Sequence, residues 1–160
     1  MIILKIKKNK GFVLIFAVTL AAILLSIALG ISQIALKEIK FGTSAKDTND
    51  AFFAADTGLE CALYNDKSTS TYFISGGTSP MQCLGGNVNI NGSIPNWNFS
   101  VFGLGASAQG CAKVTIDKTG SCAPPLTTCV VSKGYNIGVN VGGLCTPATN
   151  AVERDLESDY

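Results

Sequence analysis

An uncharged run of 25 residues begins at Phe12 and ends at Leu36, and four lysines lie in the leader before it. At about 1.5 Å of rise per residue, this run makes a helix of roughly 37 Å, enough to cross a hydrocarbon core of about 30 Å. Lysines before a span favour retention of that end in the cytoplasm. The pattern predicts a membrane-spanning helix over 12–36, with the rest of the chain on the exported side.

The small residue at which a leader could be removed lies before the apolar run, at Gly11, and not after it. An ordinary secretory signal has an apolar core of about 7 to 15 residues and is cut on the far side of that core. The run at 12–36 is longer and has no such exit. A cut after Gly11 would remove the leader, 1–11, and keep the span on the mature chain.

Two segments resemble the type IV pilins and related pseudopilins. The first, KGFVLI from Lys10 to Ile15, looks like the class III signal of that family; the second, AFFAADTG from Ala51 to Gly58, is similar to the AFxAAxxG signature of PilX-type minor pilins. The resemblance implies that prepilin peptidase cleaves after Gly11 and N-methylates the new amino terminus at Phe12. It also implies three further partners: other pilin subunits contacted through the N-terminal helix, a pilus assembly platform, and the membrane.

The chain departs from the family pattern at Phe16. If Phe12 is the first mature residue, Phe16 is the fifth, where most pilins carry a glutamate that pairs with the amino terminus of a neighbouring subunit. An ammonium without a carboxylate partner is costly in lipid. In lacking this glutamate, the chain is similar to family members that are placed at a filament tip. The resemblance therefore implies an initiating or tip role for this chain.

The remaining sequence predicts one small head domain. Without the leader, the chain has 8 basic and 11 acidic side chains, a net charge of −3. The excess of basic charge therefore lies in the leader, where it favours one orientation of the span, and it gives no sign of nucleic-acid binding. Apolar residues at three- and four-residue steps predict that the helix continues over 37–66 as an amphipathic half that packs on the head. These residues are Ile39, Phe52, Ala55, Leu59, Ala62 and Leu63. The predicted fold is α+β: this long helix on a small, disulfide-bearing antiparallel β head, 67–160.

Strand signals dominate after residue 67. The segments 97–101 and 112–116 alternate apolar and polar residues, and 127–132 is rich in β-branched residues. Turn residues between the last two predict a hairpin with a long tip. The shared parity of Trp97 and Phe99 predicts core packing for both. The segment 151–160 is interpreted as a last edge strand with a charged outer face that discourages strand addition.

All six cysteines lie on the predicted exported side of the span. An even number in an oxidising compartment predicts three disulfides, although six cysteines allow 15 connectivities and the sequence does not choose among them. The preferred pairs are Cys61–Cys83, which ties the helix end to the first loop, Cys111–Cys145, and Cys122–Cys129, which closes the hairpin tip. Metal binding is the alternative use, but the chain lacks histidine and any Cys-x-x-Cys pair.

No catalytic residue, cofactor site or metal site is predicted. Without histidine, neither a Ser-His nor a Cys-His pair can form, and the helix carboxylates, Asp66 among them, are interpreted as a solvated face. The sequence thus predicts a non-enzymatic protein. The resemblance implies a minor pilin or pseudopilin that primes or caps a type IV pilus-like filament, starting in the cytoplasmic membrane and ending in a cell-surface pilus. The alternative is a single-pass anchored binding module, such as an adhesin or a DNA-binding tip protein.

Overall fold

The computed structural model describes residues 10–68, 72–75, 77, 79–120 and 126–160. One helix, α1, runs from Lys10 to Lys67, in agreement with the long helix that the sequence predicts. The chain divides into two compact units, Met1–Thr43 and Ser44–Tyr160. Most of the predicted leader, 1–9, lies outside the described residues, and so does Cys122.

The first unit contributes the apolar part of α1. Its described side chains are all exposed, including Phe12 at 75% and Ile31 at 63%. The most apolar window of the helix has a mean hydropathy of 2.9 and no buried residue. By length and composition, α1 is therefore long and apolar enough to cross a membrane.

The second unit combines the last part of α1 with short and long β-strands. Their order along the described residues is β1 (Met81–Cys83), β2 (Gly86–Val88), β3 (Asn91–Ser93), β4 (Asn96–Leu104), β5 (Gly110–Asp117), β6 (Cys129–Tyr135), β7 (Gly138–Val141), β8 (Leu144–Pro147) and β9 (Glu153–Asp159). Together with α1 they confirm the predicted α+β class.

Five of these strands form the central antiparallel sheet, in the order β3-β4-β5-β6-β9. The predicted long-tipped hairpin is the β5–β6 pair, in which Ile116 lies opposite Val130. The predicted last strand is β9, which pairs with β6 and forms one edge of the sheet. Strands β1 and β2 form a separate hairpin, and so do β7 and β8.

The core of the head lies between one face of the central sheet and α1. Trp97 and Phe99 are buried as their parity predicts. The ring centroid of Phe73 lies 6.1 Å from that of Trp97 and 6.2 Å from that of Phe99. Buried aliphatic side chains of β4, β5 and β6 complete this face: Val101, Val114, Ile116 and Val130. Alternation along β4, β5 and β6 directs these side chains to the same side of the sheet.

The structure confirms only part of the predicted helix face. Ala55 and Ala62 are buried and Leu59 packs against the core, whereas Ile39 is 63% exposed. Phe52 is 42% exposed and Phe53 60% exposed, with their ring centroids 5.8 Å apart, so neither belongs to the core. The buried face of α1 is built from small residues instead, Ala51, Ala54, Ala55, Gly58 and Ala62. Small side chains prevail there because the helix backbone approaches the sheet too closely to accommodate phenyl rings.

Two disulfides join elements within the head. Cys61 of α1 is bonded to Cys83 of β1, with Cα atoms 5.8 Å apart, and Cys111 of β5 is bonded to Cys145 of β8, with Cα atoms 5.9 Å apart. Both are pairs preferred from the sequence. Cys129 is also disulfide-bonded, but the expected pair Cys122–Cys129 has one member outside the described residues. No free thiol occurs among the described cysteines.

Candidate functional site

The exposed apolar segment of α1 is the first candidate for a functional surface. It contains the residues singled out for processing and subunit pairing: Gly11 and Phe12 lie in the first turns of the helix, and Phe16 is 58% exposed one turn later. The small residues Ala17, Ala21, Ala22, Ala28 and Gly30 lie in the same segment. Small residues allow close approach of helices in lipid, so this segment is suited to helix-on-helix packing.

The AFxAAxxG-like segment has a structural role within the head. A Cβ atom added at Gly58 would lie 2.6 Å from Ser132 Oγ and 2.9 Å from Ala112 Cβ. On the sheet side, a Cβ at Gly134 would collide with backbone atoms of Ala51 and Ala55. The small positions of this segment therefore meet small residues of β5 and β6. The motif sets the distance between α1 and the sheet.

A junction of charged and aromatic groups surrounds Asp66 at the end of α1. Its carboxylate pairs with Lys118 Nζ and accepts a hydrogen bond from the Tyr160 hydroxyl at 2.6 Å. Lys67 Nζ lies 4.1 Å from the centroid of the Tyr160 ring. The Asp66 side chain is only 8% exposed, so its interpretation as part of a solvated helix face was wrong: the head covers it and supplies its partners.

A second polar cluster lies across β6 and the edge strand β9. Lys133 Nζ donates to Glu153 Oε1 and Asp155 Oδ2, each at 2.9 Å. These hydrogen bonds raise the pKa of Lys133 above its ordinary value, and the bond from Lys133 lowers the pKa of Glu153. Burial, followed by a hydrogen bond to Glu153, raises the pKa of Tyr135 to about 12. The cluster occupies outward positions of β9, consistent with a protected sheet edge.

Tyrosine burial makes the head sensitive to alkali. Burial, and then the hydrogen bond to Asp66, raise the pKa of Tyr160, as burial does for Tyr135. In the unfolded chain both hydroxyls lose their protons near pH 10. The folded state then binds more protons than the unfolded state, so the free energy of unfolding falls as pH rises beyond that point.

We expect the urea midpoint of the full chain to be level from about pH 7 to 9 and to fall steeply above about pH 10. Fluorescence of the single tryptophan, Trp97, reports unfolding of the head. Tyr160→Phe should lower the midpoint at pH 7 and make the alkaline fall shallower. Tyr64→Phe is the matched control, since Tyr64 is 69% exposed, and should leave the neutral midpoint unchanged. An alkaline fall of equal steepness in Tyr160→Phe would contradict this explanation.

The head also has open grooves on its surface. One groove, of about 440 Å³, lies between α1 and the β1–β2 hairpin and is lined by Thr57, Glu60, Tyr64 and Leu84 together with the Cys61–Cys83 disulfide. This surface is called the hairpin groove below. Another, of about 420 Å³, is lined by apolar residues that include Phe102, Ile137 and Val139. Neither groove can be identified from the sequence, because each combines residues distant in the chain.

Metal-ligating side chains are not clustered in the described part of the chain. No group of three or more Asp, Glu, Cys or His residues there could hold a metal ion. The grooves and the exposed helix are surfaces suited to binding other molecules. No protein family, no curated protein and no solved structure matches this chain.

Proposed function

We propose that this chain is a structural subunit that primes or caps a type IV pilus-like filament. It is inserted in the cytoplasmic membrane through α1, its head lies on the exported side, and it then passes into a cell-surface filament. The observation that carries this proposal is the fully exposed apolar segment of α1, preceded by a lysine-rich leader with Gly11 at the junction. Its partners are prepilin peptidase, other subunits with similar helices, and an assembly platform.

Two features of the head support an exported structural role. Disulfides persist in oxidising compartments, and the head contains at least Cys61–Cys83 and Cys111–Cys145. The AFxAAxxG-like segment also lies at the contact between helix and sheet, where its small residues are needed. A disulfide-bearing head that follows an exposed apolar helix supports the role of a filament subunit.

Leader removal tests the proposal directly. We expect cleavage after Gly11, giving a mature chain of 149 residues that begins with Phe12 and is N-methylated. Mass spectrometry of the amino terminus of membrane-extracted protein measures this. Gly11→Leu should leave the leader attached, because the side chain at the cut would no longer be small, whereas Gly30→Ala is the matched control and should be processed normally.

An intact leader on exported protein would contradict the filament role. That outcome would favour a single-pass anchored binding module, in which the apolar helix is only a tether and the grooves of the head bind the target.

A further inference from the structure

The hairpin groove has an unusual rim. Tyr64 of α1 is 69% exposed on one side, and Leu84, at the tip of the β1–β2 hairpin, is 72% exposed on the other. The Cys61–Cys83 disulfide joins the two sides covalently and lines the groove between them. Two large apolar side chains are therefore held in water on a rigid, cross-linked frame.

The backbone at Leu84 is strained. Leu84 has φ 52° and Gly85 has φ 75°, so both residues of the two-residue turn are left-handed. Such turns favour Asn-Gly or Asp-Gly, because a branched apolar residue is disfavoured in that region. The exposed Leu84 side chain gains little packing within the chain in return. A strained residue that presents an apolar side chain to solvent points to a contact outside the subunit.

The charge of the groove defines the chemistry of its occupant. Glu60 is exposed at its wall, and none of the described residues that line the groove is a lysine or an arginine. Glu60 and Tyr64 lie four residues apart on α1, one helical turn. A complementary ligand therefore carries a cation about one turn away from an apolar side chain. The first unit of this same chain presents such a face: Lys37, Lys40 and Phe41 lie at i, i+3 and i+4 of α1, and Phe41 is 75% exposed.

We propose that the hairpin groove of one copy binds the Lys37–Lys40–Phe41 face of a second copy, with Phe41 between Tyr64 and Leu84 and a lysine beside Glu60. The inference rests on the proposed function, which it deepens by naming a contact between subunits. The two surfaces differ, so the contact is heterologous, and heterologous contacts that do not close into a ring build open assemblies. One such contact joins a pair of copies at the start of a filament.

Site-directed photo-crosslinking of the purified full chain in detergent tests the contact. One tagged copy carries p-benzoylphenylalanine in place of Tyr64, and a second copy with another tag carries none. We expect a covalent dimer whose cross-linked peptide from the second copy contains residues 37–41. The same photo-residue in place of Val141, which is 59% exposed on the β7–β8 hairpin, is the matched control and should give no adduct with that peptide.

A charge exchange tests the pairing chemistry. Glu60→Lys in the photo-reactive copy should lower the adduct yield by about tenfold, and Lys40→Glu in the second copy should restore most of it. Glu157→Lys, a charge change at another exposed position, should leave the yield unchanged. Failure of the exchange to restore the yield would overturn the assignment of Glu60.

Leu84→Asn separates docking from folding. Asparagine suits the left-handed turn, so the variant should keep or raise the urea midpoint of the head while lowering the adduct yield several-fold. An undiminished yield, or adducts that map outside residues 37–41, would show that the groove does not bind a second copy in this way. Because this experiment contains no other filament component, it fails or succeeds independently of leader processing, which tests the proposed function itself.

Discussion

Replacing Gly134 with alanine is expected to destabilise the head by about 3 kcal/mol or more. Overpacking of a tight core typically costs about 1 to 3 kcal/mol, and here the new Cβ meets backbone atoms that cannot move aside. The new Cβ would collide with the backbone of Ala51 and Ala55 in α1 and lie 2.8 Å from Ala55 Cα. Neither the helix nor the strand can yield by rotating a side chain. The helix must therefore move away from the sheet.

Urea unfolding of the full chain in detergent, followed by Trp97 fluorescence, measures this loss. Gly86→Ala is the matched control: it is also a strand glycine of the head, but its added Cβ would lie 3.6 Å from Cys83 O, an ordinary contact. We expect the Gly86→Ala midpoint to remain within about 1 kcal/mol of wild type. Equal midpoints for Gly134→Ala and wild type would contradict the close approach of helix and sheet.

Under the proposed function, replacing Phe16 with glutamate is expected to increase the share of this chain in filaments by about tenfold or more. A carboxylate at this position would supply a partner for the amino terminus of a neighbouring subunit, whose charge is otherwise unpaired in an apolar bundle. A tenfold increase corresponds to about 1.4 kcal/mol. The wild-type chain should be rare in purified fibres and needed for their formation. Its helix can still pack, so incorporation is reduced but not abolished.

Quantitative proteomics of sheared filaments measures both quantities. Ile15→Glu is the matched control, because it adds the same charge one residue away, on another side of the helix, and should not increase incorporation. If the wild-type chain is the most abundant subunit of the fibres, the initiating or tip role is wrong.

Sequence patterns predicted four strands of the central sheet, β4, β5, β6 and β9, but not the short strands β1, β2, β3, β7 and β8. Alternation predicted the cores of β4 and β5, and the shared parity of Trp97 and Phe99 placed both in the core, as the structure confirms. The pattern succeeded because strand periodicity depends only on near neighbours in the chain and on which side is dry. The partly alternating segment at 151–160 was likewise found as the edge strand β9.

Local sequence patterns did not predict the burial of a side chain where the surface packed against it determines that burial. Phe52 fits an apolar helical stripe, yet it is exposed, because the facing strands carry Ala112, Ser132 and Gly134 and bring the helix backbone too close. Asp66 has the sequence context of a solvated carboxylate, yet Lys118 and Tyr160 meet it at the end of the helix. Neither outcome can be derived from residues adjacent in the chain.

Local composition thus establishes the long helix, its apolar first part, and a disulfide-bearing β head, because hydropathy and periodicity act over a few residues. Tertiary structure alone establishes which small residues set the helix–sheet distance, that Tyr64 and Leu84 form two sides of one groove, and that β9 pairs with β6. These features join residues that are about 20 or more positions apart in the sequence. Cys61 and Cys83, for example, are 22 positions apart. The free energy of such contacts depends on the packing of the whole head, which no local pattern encodes.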